Sequence, residues 1–369
     1  MNNVIPKKPR FDLACRSAYQ TLHYLKIHSF PFNLLPILGK FNIMVATYGE
    51  VARRSGKSIQ DIIISTGTED GLTIYAHGTY IVLYNETISI SGRIRWTLAH
   101  ELGHIVLKHF TDFDATQLTR CGLTDSEYKV LDREANTFAS EFLCSPALIN
   151  ILPISNTSAI STILGISYEA AMYAKKKLQD YPLLHTRHSS FFRKQFYNFL
   201  NVKYCMNCHH RFILKDAKFC PICGSEKVQW GNFKQPTFIF FRNKETKEVP
   251  VMHYKNYPTT ETGRIKDQCI RCENEDLKED FKFCPICGLS TTNKCVGVPN
   301  DWSDEDIPPQ APCELGQTLP PNARYCPYCG GYSDYYIHQA LPSWEDEVKQ
   351  IQEEDTEYNS LSADEQIPF

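Results

Sequence analysis

The residues with the clearest capacity for chemistry are His100, Glu101 and His104, which form an H-E-x-x-H pattern. Residues four apart on a helix share one face, so both imidazoles can reach a single tetrahedral zinc ion. Glu101 follows the first histidine and can accept a proton from the water that such an ion activates. The spacing predicts a hydrolytic zinc site, although two exposed histidines on a helix would produce the same letters.

A hydrolytic zinc site takes three protein ligands and leaves a fourth position for water or substrate. The segment LDREANTFASEFLC, residues 131–144, predicts a helix with one apolar face that is bordered by Glu134 and Glu141. Either glutamate could approach the first helix and supply the third ligand. Each could equally be a solvated charge on the helix surface, and spacing alone leaves this choice open.

Cysteine supplies a second kind of chemistry, because 12 of the 15 cysteines lie between residues 205 and 329. One phrase occurs three times, as KFCPICG at 218–224 and 282–288 and as RYCPYCG at 324–330. Two C-x-x-C knuckles close a tetrahedral zinc site with four thiolates and no open position, so such metals are structural. Two complete sets predict zinc ribbons: Cys205, Cys208, Cys220 and Cys223 within 203–230, and Cys269, Cys272, Cys284 and Cys287 within 267–292.

The third copy of the phrase lacks one partner, because Gln310 stands where the other two copies have a cysteine. Cys295 lies further upstream and can complete the set. We expect a third ribbon over 293–334, in which an inserted loop separates its ligands Cys295, Cys313, Cys326 and Cys329. The alternative is a degenerate ribbon in which Cys295 is free.

The histidines need a scaffold, and the pattern of apolar residues predicts one. Helical spacing predicts helices over 11–27 and from Ser91 to about His109. A strand is predicted over 41–48, and a hairpin over 72–83 turns at His77-Gly78. The expected fold class is α+β: a small helical metalloprotease-like domain with a small β-sheet, followed by three small zinc ribbons.

The run GRIRWTLAHELGHIVLKH, followed by REANTFASEFLCSP, resembles the ImmA/IrrE family of zinc metallopeptidases. The upstream stretch from Glu50 to Asn85 is also similar to that family. The resemblance implies a zincin-like domain over 10–195 in which His100 and His104 bind zinc. It further implies that Glu101 is the general base and that Glu134 is the third ligand. Its implied activity is intracellular endoproteolysis, typically of a helix-turn-helix repressor of a mobile element or stress response.

Residues 157–178 resemble a helix-turn-helix with Gly165 in the turn, a pattern that also serves protein packing. With 39 basic and 42 acidic residues the net charge is −3, which gives no polybasic signature. Zinc-loaded ribbons are acidic, so we expect the ribbons to bind protein and do not expect direct DNA contact. The competing hypothesis is a zinc-ribbon adaptor or transcription regulator with weak or absent peptidase activity.

The ends and the apolar runs bear on localisation. Residues 345–369 hold one basic and nine acidic side chains and are expected to form a disordered acidic tail. The longest apolar run, 30–45, is broken by Asn33, Lys40 and Asn42, so no membrane span is predicted. Without a visible secretory signal, the expected location is the cytoplasm. The expected cofactors are one catalytic zinc and two or three structural zinc ions; the oligomeric state stays open.

Overall fold

The computed structural model describes residues 4–113, 124–180, 188–231, 251–297 and 318–360, with side chains up to residue 353. These residues fall into two compact units, one ending at Leu200 and the other beginning at Asn201. Within these ranges, no helix has both the length and the apolar character that crossing a membrane requires.

The first unit combines helices with one small sheet. Its elements are α1 (Phe11–Tyr24), α2 (Leu34–Lys40), β1 (Ile43–Thr47), α3 (Tyr48–Ser55), α4 (Ile59–Thr66), β2 (Gly71–Ala76), β3 (Thr79–Tyr84), α5 (Ser91–Val106), α6 (His109–Asp112), α7 (Asp125–Cys144), α8 (Pro146–Ile149), α9 (Thr157–Leu164), α10 (Tyr168–Asp180) and α11 (Ser189–Gln195). A short helix, α12 (Tyr197–Asn201), follows at the boundary between the units.

The sheet has the order β1-β3-β2, with β1 parallel and β2 antiparallel to β3. The predicted hairpin is present, and its turn residues His77 and Gly78 both have positive φ, at 52° and 78°. Two consecutive positive-φ residues give the backbone twist that suits a two-residue hairpin. Strand β2 therefore lies at one edge of the sheet.

Helices α5 and α7 form the centre of this unit. A Cβ atom on Gly103 would lie 3.1 Å from the Phe138 ring and 3.2 Å from the Ala135 carbonyl oxygen. A side chain at this position would require Phe138 or the Ala135 backbone to move by a few tenths of an ångström, so glycine suits the close approach of α7. The helix predicted to reach His109 ends earlier, at Val106, because Lys108 adopts a left-handed conformation with φ of 59°. The chain turns there, and His109 begins α6.

The helix-turn-helix-like segment forms α9 and α10, joined at Gly165 with φ of 64°. The chain just after this turn packs closely on α5, since a Cβ on Gly92 would lie 2.5 Å from the Ser167 amide nitrogen. Ile160 and Leu164 of α9 are fully buried. Helix α9 and the turn are therefore part of the hydrophobic core of the first unit, whereas Tyr168 and Tyr173 of α10 are exposed.

The second unit is built from cysteine knuckles and short strands. Its elements are β4 (Val202–Cys205), β5 (Arg211–Ile213), β6 (Val228–Trp230), β7 (Cys295–Gly297), β8 (Tyr332–Ser333), α13 (Asp334–Ile337) and α14 (Trp344–Ser360). Strands β5, β4 and β6 form one antiparallel sheet, and β7 pairs with β8 in another.

The expectation of a disordered tail from residue 345 is wrong as far as Ser360, because this stretch forms most of α14. Arg324, only 1% exposed, forms a 2.5 Å ion pair with Glu347 and donates to the Pro342 carbonyl. Glu347 thereby neutralises a guanidinium that would otherwise be costly to bury. Trp344 and Val348, one helical turn apart, also pack against the core of the first ribbon. The acidic composition of this stretch does not reveal these contacts. Residues 361–369 lie outside the described ranges.

Candidate metal and catalytic site

The two histidines of the H-E-x-x-H pattern face each other on α5. The His100 and His104 Nε2 atoms are 3.0 Å apart, and His104 is only 3% exposed. Two nitrogens that each lie about 2.0–2.1 Å from one tetrahedral zinc ion would be about 3.4 Å apart. The observed spacing is therefore close to that of two ligands of one ion.

The hydrogen bond on the other ring nitrogen determines what His100 Nε2 can do. His100 Nδ1 lies 3.1 Å from Asn136 Oδ1, and the Asn136 amide group donates to Asp132 Oδ2 at 2.9 Å. Since the amide nitrogen is committed to the carboxylate, Asn136 Oδ1 accepts from His100. His100 Nδ1 then carries the proton, and the Nε2 lone pair is free to bind a cation.

A second chain of hydrogen bonds has the same effect on His104. His109 Nε2 lies 3.1 Å from Glu134 Oε2, and an ionised carboxylate can only accept, so His109 donates there. Burial lowers the pKa of both His104 and His109, so both rings are neutral near pH 7. Neutral His109 can then only accept at Nδ1, which lies 2.8 Å from His104 Nδ1. His104 therefore also presents an unprotonated Nε2.

The two unprotonated Nε2 atoms, one on the buried His104 and one on the partly buried His100, thus lie 3.0 Å apart. Neither nitrogen can donate to the other, so the arrangement is electrostatically unfavourable unless a cation lies between them. The donor set, neutral imidazole nitrogen with a carboxylate nearby, is one that zinc prefers. The residues present on α5 therefore fit a zinc ion.

The expected third ligand, Glu134, does not meet this pair. Its side chain is fully buried; Arg10 donates to it from the backbone nitrogen at 2.7 Å and from Nη2 at 2.8 Å. Together with His109, these donors engage both carboxylate oxygens on the Nδ1 side of His104. The placement contradicts the role that the resemblance implied for Glu134. Glu141 is neither a ligand nor a surface charge, since it is buried and accepts from Tyr19 and Ser145.

Asp132 occupies the position that was expected for Glu134. Its Oδ1 atom lies 3.6 Å from His100 Nε2. Positions 132 and 134 point to nearly opposite sides of α7, because two residues turn a helix by about 200°. The Asp132 carboxylate lies near His100 but does not complete a three-ligand group with both histidines. Among the described residues, only cysteine groups bring three ligand atoms within 4.8 Å of one another.

Glu101 lies beside the histidine pair. Its Oε2 accepts a 2.7 Å hydrogen bond from Thr73 of β2, and burial raises its pKa despite this bond and the neighbouring His100. Glu101, both histidines and Asp132 line one cavity of about 430 Å³. A larger hollow of about 800 Å³ elsewhere in this unit includes none of the predicted site residues.

The sequence patterns alone did not predict several residues of this site. Asn136 lies four residues after Asp132, a helical spacing that could have suggested a shared face. His109, five residues beyond His104, would have seemed to lie on a different face of an unbroken helix. Arg10 and Thr73 carry no motif, and their roles depend on contacts between distant parts of the chain.

The described part of the second unit contains three cysteine groups whose sulfur atoms lie within 4.8 Å of one another. Paired sulfur atoms are 3.5–3.6 Å apart, far beyond a disulfide bond and close to the about 3.7 Å between two thiolates on one zinc. The groups are Cys205, Cys208, Cys220 and Cys223; Cys269, Cys272, Cys284 and Cys287; and Cys295, Cys326 and Cys329. Cys295 thus joins the third group, whereas Cys313 lies outside the described residues.

Replacing His109 should weaken metal binding without touching a ligand. We expect His109→Asn to reduce affinity at the histidine site about 10- to 100-fold, because His104 loses the acceptor that selects its tautomer. The measurement is chelator competition for Co²⁺, whose visible spectrum separates nitrogen and oxygen ligation from thiolate ligation. The matched control is His77→Asn in the exposed hairpin turn, where φ of 52° suits asparagine. Equal affinities for the two variants would contradict the tautomer argument.

Glu134 should contribute pH-dependent stability to the first unit. Burial opposes its ionisation, but hydrogen bonds from His109 and Arg10 outweigh burial and lower its pKa from 4.5 to about 2. Since the folded pKa is the lower one, the contribution is complete above about pH 4.5 and is lost as pH falls through about 2. We expect a loss of about 3 to 4 kcal/mol, at about 1.4 kcal/mol per pKa unit.

The check is urea-dependent hydrogen exchange of α5 and α7 peptides in the natural chain and in Glu134→Gln. The difference in the free energy of unfolding should be largest near neutral pH and should shrink toward pH 2. Parallel pH profiles would show that Glu134 does not carry this stability.

The comparisons with known proteins agree with this geometry. Residues 55–173, about a third of the chain, match the family model of Peptidase_M78, described as the IrrE N-terminal-like domain. The matched segment includes both histidines, Glu101 and Asp132. No curated protein matches the chain. The chain therefore carries an IrrE N-terminal-like domain of the Peptidase_M78 family, together with three cysteine groups that fit zinc ribbons.

Proposed function

We propose that the first unit is a zinc-dependent endopeptidase that cleaves a regulatory protein. The observation that carries this proposal is the 3.0 Å approach of the His100 and His104 Nε2 atoms, in a cavity that the buried Glu101 carboxylate also lines. The Peptidase_M78 match supports the same reaction class. We propose no second function, since α9 of the helix-turn-helix-like segment packs into the core of its own unit.

His100, His104 and Asp132 are the residues we assign to hold zinc. A zinc ion there would polarise the scissile carbonyl and lower the pKa of water. Asn136 supports two of these ligands at once, by accepting from His100 and donating to Asp132. Such outer hydrogen bonds orient the ligand side chains and raise their affinity for metal.

Glu101 is the residue we assign to proton transfer. Thr73 donates to its Oε2 and thereby holds the carboxylate in one orientation. Burial raises the pKa of Glu101 and so makes it a stronger base than a solvated glutamate. Glu101 takes a proton from the attacking water and returns it to the amine of the leaving peptide.

The edge strand β2 offers a way to bind an extended polypeptide. Leu72 and Thr73 of this strand line the same cavity as the histidines. An edge strand can add a peptide by main-chain hydrogen bonds, which favours unfolded or loop segments of a protein substrate. We propose a helix-turn-helix repressor as the substrate, with the ribbons of the second unit recruiting it. The grouped cysteines, whose paired sulfur atoms lie 3.5–3.6 Å apart and not at disulfide distance, suit a reducing compartment such as the cytoplasm.

The assignment of Asp132 can be tested against that of Glu134 by zinc content. We expect Asp132→Asn to lose zinc at the histidine site more severely than the about 10- to 100-fold reduction that an outer residue causes. Glu134→Gln should retain the metal with at most that smaller reduction. Thiolate-bound zinc serves as the internal standard in both variants. The reverse order of affinities would restore Glu134 as the ligand.

The peptidase itself is tested with Glu101→Gln. This change should leave zinc binding intact and reduce cleavage about 10²- to 10⁴-fold, because the base is removed and the ligands are not. The measurement compares new protein N-termini in cells that express the natural chain or the variant. Glu169→Gln, on the exposed side of α10, is the matched control. A partner cleaved equally by all three would refute the proposal, and a lack of any new terminus would favour the adaptor hypothesis.

A further inference from the structure

The knuckles of the first and third ribbons pair with each other reciprocally. The amides of Lys218 and Phe219 both donate to the Pro327 carbonyl, at 2.8 and 3.0 Å. In return, the amides of Arg324 and Tyr325 donate to the Pro221 carbonyl at the same two distances. Equivalent positions of the repeated phrase therefore exchange equivalent bonds, as in a two-fold symmetric contact.

The side chains follow the same exchange. A Cβ atom on Gly224 would lie 2.9 Å from the Tyr325 ring, and one on Gly330 would lie 2.9 Å from the Phe219 ring. Each aromatic ring thus covers the glycine of the opposite knuckle. The glycines have φ of 70° and 77°, which keeps these positions free of side chains.

The second ribbon has the same knuckle, but its pairing surface is bare. Its phrase, KFCPICG at 282–288, is identical to that of the first ribbon. Its turn has the same backbone bond, from the amide of Gly288 to the carbonyl of Cys284 at 2.9 Å. Yet Phe283 is 60% exposed and Ile286 is 73% exposed, whereas Ile222, the equivalent of Ile286, is fully buried.

The backbone polar groups of this surface also lack hydrogen-bond partners among the described residues. Among the described residues, the amides of Lys282 and Phe283 and the carbonyl of Pro285 make no hydrogen bond. Nothing lies within 4 Å of where a Cβ on Gly288 would be. Every group that joins the first and third ribbons is therefore present on the second ribbon, where none has a partner among the described residues.

We propose that the knuckle of the second ribbon, residues 282–288, is a docking surface for the same knuckle of a second copy of this chain. A contact in which both sides offer the same donors, acceptor, ring and glycine is self-complementary, so two identical surfaces form an isologous dimer. The first and third ribbons already occupy each other. The knuckle of the second ribbon would then pair with the same knuckle of another chain.

The dimer should be weak, because one knuckle on each side is a small interface. Two Lys282 side chains flank the contact, and their equivalents Lys218 and Arg324 flank the internal one. In the internal pair the charge of Arg324 is neutralised by Glu347, so mutual repulsion of two Lys282 side chains is a further reason for a weak dimer. We expect association at concentrations on the order of 10–100 µM.

The test is sedimentation equilibrium of the full zinc-loaded chain at about 1–200 µM, a range that brackets the expected association. The natural chain should shift from 42.4 kDa toward twice that mass. Phe283→Ser combined with Ile286→Lys should raise the dissociation constant at least tenfold. Ile64→Lys, an equally drastic change at a residue of the first unit that is 68% exposed, is the matched control. An unchanged zinc content shows that the altered ribbon still folds.

A photoreactive phenylalanine analogue at position 283 identifies the occupant directly. In a mixture of isotopically light and heavy chains, we expect crosslinks from position 283 to residues 285–288 of the other isotope. A chain that stays monomeric over the whole range would overturn the proposal, as would a dimer insensitive to the double variant. Crosslinks confined to one chain would also overturn it, because the surface would then be covered by its own chain.

Discussion

The first unit depends on the hydrogen bonds that hold its histidine side chains. An imidazole binds zinc only through an unprotonated nitrogen, so binding through Nε2 requires that the proton of each ring be kept on Nδ1. Asn136 does this for His100, and His109 does it for His104. The two Nε2 atoms then lie 3.0 Å apart with no proton between them. A bound cation would relieve the electrostatic repulsion between their lone pairs.

The surrounding fold can be understood as the support of that arrangement. Gly103 allows α7 to approach α5 closely enough for Asn136 to reach His100. The left-handed turn at Lys108 ends α5 and returns His109 to the back of His104. Arg10, just before α1, neutralises Glu134 and so lets that carboxylate orient a neutral His109.

The second unit uses one short phrase for two purposes. Its cysteines are grouped to hold metal, and the backbone and aromatic ring beside them form a pairing surface. Because each ribbon is too small to bury much of its own apolar surface, it gains stability by packing on another. Pairing of the first and third ribbons meets this need within the chain, and α14 covers part of the same core through Trp344 and Val348.

The sequence by itself determined the features that depend on local spacing. The hairpin at His77-Gly78, the helical placement of His100 and His104, and the repeated cysteine knuckles all follow from residues a few positions apart. Such features are set by backbone preference and helical periodicity, which act along the chain. The acidic segment after residue 344 shows the limit, because its helix depends on a buried arginine that composition does not reveal.

Only the tertiary structure decided which side chains meet. Asp132 and Glu134 are two residues apart with similar chemistry, yet one lines the cavity and the other pairs with Arg10. That choice depends on how α7 is rotated against α5, and the rotation is set by packing of the whole core. The exposure of Phe283, in a phrase identical to a buried one, likewise depends on which ribbons lie side by side. The identical segments at 218–224 and 282–288 differ in role because the fold decides which residues are buried and which partners they contact.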